Sequence, residues 1–200
     1  MNDDRAKKGK IALIKPIGET QNQRLSREDL RDRKGPRKQF RARSRQPIAI
    51  VLDGVLGTYN QGAIFRLCDA FLIEKVHFCK TTIHSKHRRF LKSARGTQKW
   101  VPYTDGENCL ELVRDYRQKG YQIVVAEQCT GSTPALTAQY NSPVCLVLGG
   151  ELAGVSQDVV DAADLVVEFP CHGMANSINV SMTAAMLVYA VHHAFHSAQP

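Results

Sequence analysis

Three stretches of the chain gather polar side chains and glycines at spacings that could build a site. The first, Gly57-Thr58-Tyr59-Asn60-Gln61-Gly62-Ala63-Ile64-Phe65-Arg66, sets an amide and an arginine six residues apart in an apolar-periodic segment. Asn60 suits a helix N-cap as well as a site amide. Arg66 is either a solvated surface arginine or a cation for a phosphate or an oxyanion. The second, Val144-Cys145-Leu146-Val147-Leu148-Gly149-Gly150-Glu151-Leu152-Ala153-Gly154, follows an apolar run with three glycines in six residues. Such a corner makes a tight strand-to-helix turn or lets backbone amides approach a ligand. It is neither Gly-x-Gly-x-x-Gly nor a P-loop, so dinucleotide and nucleoside triphosphate binding lack their fingerprint. The third runs from Phe169-Pro170-Cys171-His172-Gly173-Met174 to Asn176-Ser177-Ile178-Asn179-Val180-Ser181. It crowds more hydroxyl and amide groups at a helix start than capping needs, which points to a polar pocket.

Other chemistries fare worse. His84 and His87 lie in a basic run, and His192, His193 and His196 sit together without carboxylates, so no metal set is expected. The six cysteines are scattered with no Cys-x-x-Cys pair, which disfavours disulfide and zinc frameworks and fits reduced thiols in a cytoplasmic protein. No stretch approaches the ~18–20 apolar residues of a membrane span, and the first residues lack the apolar region of a secretory signal.

The net charge of +8 is unevenly placed. Residues 1–46 hold 15 Lys+Arg against 6 Asp+Glu, and the remainder is close to neutral. This segment, rich in arginine and poor in apolar residues, cannot bury enough surface to fold alone. It reads as a solvated tail or as a flexible arm that neutralises phosphates, with Arg37, Lys38, Arg41, Arg43 and Arg45 as candidate contacts. A second run, residues 80–99, carries seven Lys/Arg and no acid; Arg88, Arg89, Lys92 and Arg95 are its candidates for a polyanion, and Trp100 and Tyr103 follow for stacking.

The elements that must position these groups alternate. Apolar runs predict strands at 47–52, 75–79, 121–126, 144–148 and 165–169. Helical spacing predicts helices at 61–72 (entered at Asn60), 107–119 (stopped by Gly120), 156–163 and 177–196. Several strands are apolar throughout, the pattern of a parallel sheet covered on both faces. One α/β domain at 47–200 behind an N-terminal arm at 1–46 is therefore expected.

Taken in order, Asn60-x-Gly62-x-x-x-Arg66, Leu148-Gly149-x-Glu151-x-x-Gly154 and Pro170-x-x-Gly173-x-x-x-Ser177-Ile178-Asn179-Val180-Ser181 resemble the three motifs of the SpoU/TrmH-type RNA ribose methyltransferases of the SPOUT superfamily. The resemblance covers about residues 47–195, and Lys92-Ser93-Ala94-Arg95-Gly96 is similar to the family's segment between the first two motifs. It implies a deep C-terminal trefoil knot, S-adenosylmethionine as cofactor, no metal, homodimerisation through the motif-one and terminal helices, and 2′-O-methylation of a ribose in tRNA or rRNA. Carried over residue by residue, it implies a catalytic set of Arg66, Asn60, Glu151, Ser177 and Asn179. It implies a cofactor pocket formed by Gly149, Phe169 and Ile178 with Leu148, Glu151, Gly154, Pro170, Met174, Ser177 and Glu127; Arg66 would also face RNA. Two departures flank the pocket: Gly57-Thr58 replaces the family's Asp-Pro, and Phe169-Pro170-Cys171 its Ile-Pro-Met. A non-catalytic knotted RNA-binding protein is the rival expectation, which the intact polar set disfavours. Base methylation is another, and Ser177-Ile178-Asn179 favours ribose.

Overall fold

The computed structural model describes residues 24–34, 36 and 43–197. The chain divides into two units, Met1–Ala42 and Arg43–Pro200. In the first, α1 (Arg27–Asp32) is closed by a capping box: Ser26 Oγ accepts from Asp29 N–H at 3.0 Å, and Ser26 N–H donates to the Asp29 carboxylate at 2.8 Å. None of its residues is buried, so local capping rather than a core defines this short helix. Arg37, Lys38 and Arg41 lie outside the described residues.

The second unit is a parallel α/β sheet, as the apolar strands predict. Its elements are β1 (Gln46–Asp53), α2 (Thr58–Ala70), β2 (Ile73–Cys79), α3 (Arg88–Ala94), a 3-10 turn (Thr97–Lys99), β3 (Tyr103–Glu107), α4 (Cys109–Gln118), β4 (Gln122–Ala126), β5 (Thr133–Pro134), β6 (Val144–Gly149), α5 (Gln157–Asp161), β7 (Leu165–Glu168) and α6 (Val180–Ser197). The strand order is β3-β2-β1-β6-β4-β7-β5, every neighbour parallel. The side-chain period of two sends alternate residues of β1 to opposite faces. Ile48, Ile50 and Leu52 join Ile64, Phe65, Phe90 and Leu187 on the α2/α3/α6 face, while Ala49 and Val51 join Val113 and Val159 on the α4/α5 face. Phe65 stacks on Phe78 at 5.3 Å and meets Phe90 edge-on at 5.5 Å, which ties α2 and α3 to β2.

Two features that position the site escaped the sequence reading. The basic run read as a candidate polyanion footprint forms helix α3, which is seated by buried Phe90, Ser93 and Ala94. Its approach to α2 requires Gly62, where a Cβ would lie 2.2 Å from Ser93 Oγ and 2.6 Å from the Phe90 carbonyl oxygen. Asn60 is not an N-cap: the helix begins at Thr58 with Gly57 as its N-cap, and Asn60 sits buried in the first turn.

The register brings the loops together. Leu52 pairs with Leu148, Ala126 with Leu148, and Ala126 with Val167. The carboxyl ends of β1, β4, β6 and β7 thus lie at one edge, where open α/β sheets hold ligands.

Candidate active site

Glycine sets the shape of the loop after β6, and of the two sequence readings the tight turn accounts for it. A Cβ at Gly149 would lie 2.0 Å from the Gly154 carbonyl carbon, and one at Gly150 2.3 Å from the Gly54 carbonyl oxygen. These glycines are required by the protein's own backbone rather than by a ligand, since the loop folds back until Gly154 N–H donates to Gly150 C=O at 3.0 Å. Gly154 adopts φ +64°, and a Cβ there would meet the Glu127 carboxylate at 2.4 Å. Glu127 follows β4 and accepts from Val155 N–H at 2.9 Å, so its carboxylate pins the far end of the same loop.

Between these loops opens a cleft of about 250 Å³. Of the expected pocket residues, Glu127, Leu148, Gly149, Glu151, Gly154, Phe169, Ser177 and Ile178 line it. Pro170 and Met174 do not, and Met174 is fully exposed. Sequence reasoning missed Gln128, Val167, Glu168 and Cys171 in the lining. Their signal was positional: each stands at or just beyond the end of β4 or β7. Gln128 also donates from Nε2 to the Asn176 carbonyl at 2.7 Å and so ties the β4 loop to the third motif.

Asn60, Glu151 and Asn179, one residue from each of the three motifs, meet in one chain of hydrogen bonds. Asn60 Nδ2 donates to Glu151 Oε1, and Asn179 Nδ2 donates to Asn60 Oδ1 at 3.2 Å. Asn179 Oδ1 in turn accepts from Ser181 N–H at 3.0 Å and from Ser181 Oγ at 2.7 Å. Asn60, 8% exposed, sits at the centre and fixes the amide of one motif and the carboxylate of another. Asn179 and Ser177 line the cleft, and Asn60 touches it through Glu151. Arg66 lies two turns along α2 from Asn60, exposed, with no ion pair or side-chain hydrogen bond among the described residues.

Behind the glycine loop lies a carboxylate that the motifs do not include. Asp53, 3% exposed at the end of β1, accepts from Ser156 N–H at 3.0 Å and Ser156 Oγ at 2.6 Å, and its other oxygen lies 2.9 Å from Lys80 Nζ. Burial pushes its pKa up, but the hydrogen bonds from Lys80 and Ser156 outweigh burial and hold it below the usual carboxylate value. Asp53 thereby clamps the outgoing end of the loop that carries Glu151.

The expected RNA contacts divide. Arg88, Arg89, Lys92 and Arg95 stand exposed on α3 and its C-cap. Arg43 is exposed as well. Arg45 instead donates to the carbonyls of Ile73 at 2.8 Å and Trp100 at 2.5 Å, and so fastens the edge of the sheet. Among the described residues no group of three His, Cys, Asp or Glu could hold a metal ion, and no helix is long and apolar enough to cross a membrane.

Residues 47–189 match the model of the SpoU rRNA Methylase family, well over half of the chain. The chain belongs to the SpoU methylase family. It is 29% identical over 145 residues to the tRNA (guanosine(18)-2′-O)-methyltransferase of Aquifex aeolicus, a match covering 71% of this chain and 67% of that enzyme. The crystal structure of the A. aeolicus TrmH/SpoU tRNA modifying enzyme superposes with a TM-score of 0.71 at 27% identity, over 84% of this chain and 85% of that one. The SpoU methyltransferase AviRb from Streptomyces viridochromogenes, solved in complex with AdoMet, shares the fold at a TM-score of 0.68 and 20% identity, over 78% and 63% of the two chains. The SpoU family match begins at residue 47 and leaves the basic N-terminal segment outside it.

The cleft of this SpoU family member has the chemistry for S-adenosylmethionine. Its lining holds Glu127, Glu151 and Glu168 and no lysine or arginine, an electrostatic complement to a sulfonium. Leu148, Val167, Phe169 and Ile178 supply apolar walls of the kind that receive a flat ring.

Proposed function

We propose that the protein methylates a ribose 2′-hydroxyl of tRNA or rRNA with S-adenosylmethionine as methyl donor. One observation carries the reading. The Glu151–Asn60–Asn179 chain joins residues from all three motifs beside a cleft whose charged lining is wholly acidic.

When bound, S-adenosylmethionine supplies an electrophilic methyl on a sulfonium, open to in-line displacement. Gly149, Phe169 and Ile178 would hold it, with Glu127 toward its adenosine, and the acidic lining favours the charged donor over its neutral thioether product. The protein's own task is to bring a weak nucleophile into line and to manage its proton. Asn60 holds Glu151 and Asn179 at fixed positions and leaves Glu151 Oε2 without a side-chain partner among the described residues. Arginine stays charged at any working pH, so Arg66 serves by gripping a phosphate or stabilising the developing alkoxide rather than as a base. Ser177, exposed at the cleft mouth, completes the polar rim.

The exposed cations of α3, together with the basic segment before residue 47, supply salt-dependent RNA affinity in this reading. A second copy of the chain covers the apolar surface left open on two helices. Met182 is 62% exposed and Tyr189 60% exposed on α6, at positions seven apart and so on one face, and Tyr59 on α2 is 58% exposed.

Single-turnover methyl transfer by wild type and Arg66→Lys tests the mechanism. Wild type should label RNA, and Arg66→Lys should lose at least ~10-fold in rate with cofactor binding intact, because a lysine cannot reproduce the planar fork. Full activity in Arg66→Lys contradicts the role of Arg66. Absence of cofactor binding in wild type contradicts the function.

A further inference from the structure

Helix α3 is dense in cations. Arg88 and Arg89 open it with no acid in the first turn, and Lys92 stands in the last turn. Arg88 and Lys92 stand four residues apart, like charges on one face. The helix then ends on Arg95 at φ 54°, ψ 27°, a left-handed conformation that glycine adopts freely and other L-residues adopt at a cost.

Among the described residues only Leu72, Lys80 and Arg95 hold a positive φ without being glycine. The side chain of Lys80 has a use inside the fold, its ion pair with Asp53. Leu72 is partly buried, and its carbonyl accepts from Gln46 N–H at 2.8 Å. Arg95 is exposed, and its guanidinium has no ion pair or hydrogen bond among the described residues. The strained position therefore presents a cation that the fold itself does not use. Its backbone is nonetheless fixed: Arg95 N–H donates to Leu91 C=O at 3.2 Å, and buried Ser93 and Ala94 seat the preceding turn against Gly62. Arg88, Lys92 and Arg95, at i, i+4 and i+7, share one face.

We infer that Arg95 is an anchoring contact to an RNA backbone phosphate, and that α3 is a preformed basic face with Arg88 and Lys92 flanking it. Phosphates of an RNA backbone screen the like-charged Arg88–Lys92 pair and give the left-handed arginine its partner. The inference rests on the RNA methyltransferase reading.

The test uses the full chain, with bulk tRNA and total rRNA as probes, and the variants Arg95→Gly and Arg95→Lys. Arg95→Gly should melt at the same temperature as wild type or up to ~2–4 °C higher, because glycine relieves the left-handed strain. The same variant should bind RNA ~3–10-fold more weakly, with a salt slope lower by about 1 and unchanged cofactor affinity. Arg95→Lys should fall between the two in RNA affinity, and its melting temperature should stay at the wild-type value. Wild-type affinity and salt slope in Arg95→Gly overturn this inference alone. A lower melting temperature in Arg95→Gly also overturns it, by showing that the arginine serves the fold. A wild-type protein that binds neither RNA overturns the functional reading beneath it as well.

Discussion

Replacing Asn60 by aspartate keeps the size and shape of the side chain and changes only its chemistry. Asn60 Nδ2 donates to the Glu151 carboxylate, so Asn60→Asp turns a donor–acceptor contact into two facing carboxylates. Two unit charges ~4 Å apart repel by about 4 kcal/mol at an effective dielectric of ~20 and by about 1 kcal/mol in bulk water. Asn60 is buried and Glu151 is open to solvent, so the repulsion lies between these limits, near ~2 kcal/mol. The lost hydrogen bond to a charged acceptor adds about 1.5–3 kcal/mol. Near pH 8, Asn60→Asp should therefore be destabilised by roughly 3.5–5 kcal/mol. On acidification one proton shared between the two carboxylates restores a hydrogen bond, so most of that loss should be recovered near pH 5. Asn60→Ala, which only deletes the contacts, should lose ~1–3 kcal/mol with no such recovery. Chemical denaturation of the three proteins at both pH values reads the difference directly. A pH-independent loss in Asn60→Asp, or no loss at all, would refute the placement of Asn60 against Glu151.

Other consequences follow from the same geometry. Gly149→Ala would drive a Cβ to 2.0 Å from backbone that cannot yield, so it should cost ~3 kcal/mol and abolish cofactor binding, whereas Gly173→Ala, in open space, should stay within ~0.5 kcal/mol; melting curves and titration calorimetry check both. Burial lowers the pKa of His77, 2% exposed, against the pull of Glu107; its Nδ1 lies 2.8 Å from the Glu107 carboxylate and its Nε2 2.8 Å from the Tyr116 hydroxyl. Because its folded pKa is depressed, the unfolded chain takes up a proton below ~6.5 that the folded one refuses. Stability should hold above that pH and decline below it, by at most ~1.4 kcal/mol per unit, and a flat denaturation profile from pH 7 to 5 would contradict this. Met182→Asp combined with Tyr189→Asp should shift the protein from dimer to monomer in sedimentation, and a wild-type monomer would remove the proposed second copy.

The sheet was legible where burial alone dictates residue type. The runs through Ile48–Leu52 and Val144–Leu148 are apolar on both faces because each strand is covered twice, and the terminal helix shows its apolar face openly. Strand β3, reading Tyr-Thr-Asp-Gly-Glu at the sheet edge, has no apolar period to find. Helix α3 hides behind its charges, with only Phe90 and Ala94 marking an apolar face. The site was legible as residue types in three corners, but their partners were not. Asn60 could cap a helix or bridge two loops, and only the tertiary approach of Glu151 and Asn179 decides between them. Arg45 counts in sequence as one more basic-arm cation, yet two backbone carbonyls take up its guanidinium. Asp53 carried a local signal, a carboxylate closing a buried strand, whose meaning required Lys80 and Ser156 to arrive from distant segments.

The most direct test is transfer of labelled methyl from S-adenosylmethionine to bulk tRNA and, separately, to rRNA, followed by complete digestion to nucleosides. The label should appear in a 2′-O-methylnucleoside from one of the two pools. Label on a base, or no label in either pool while the cofactor binds, would contradict ribose methylation.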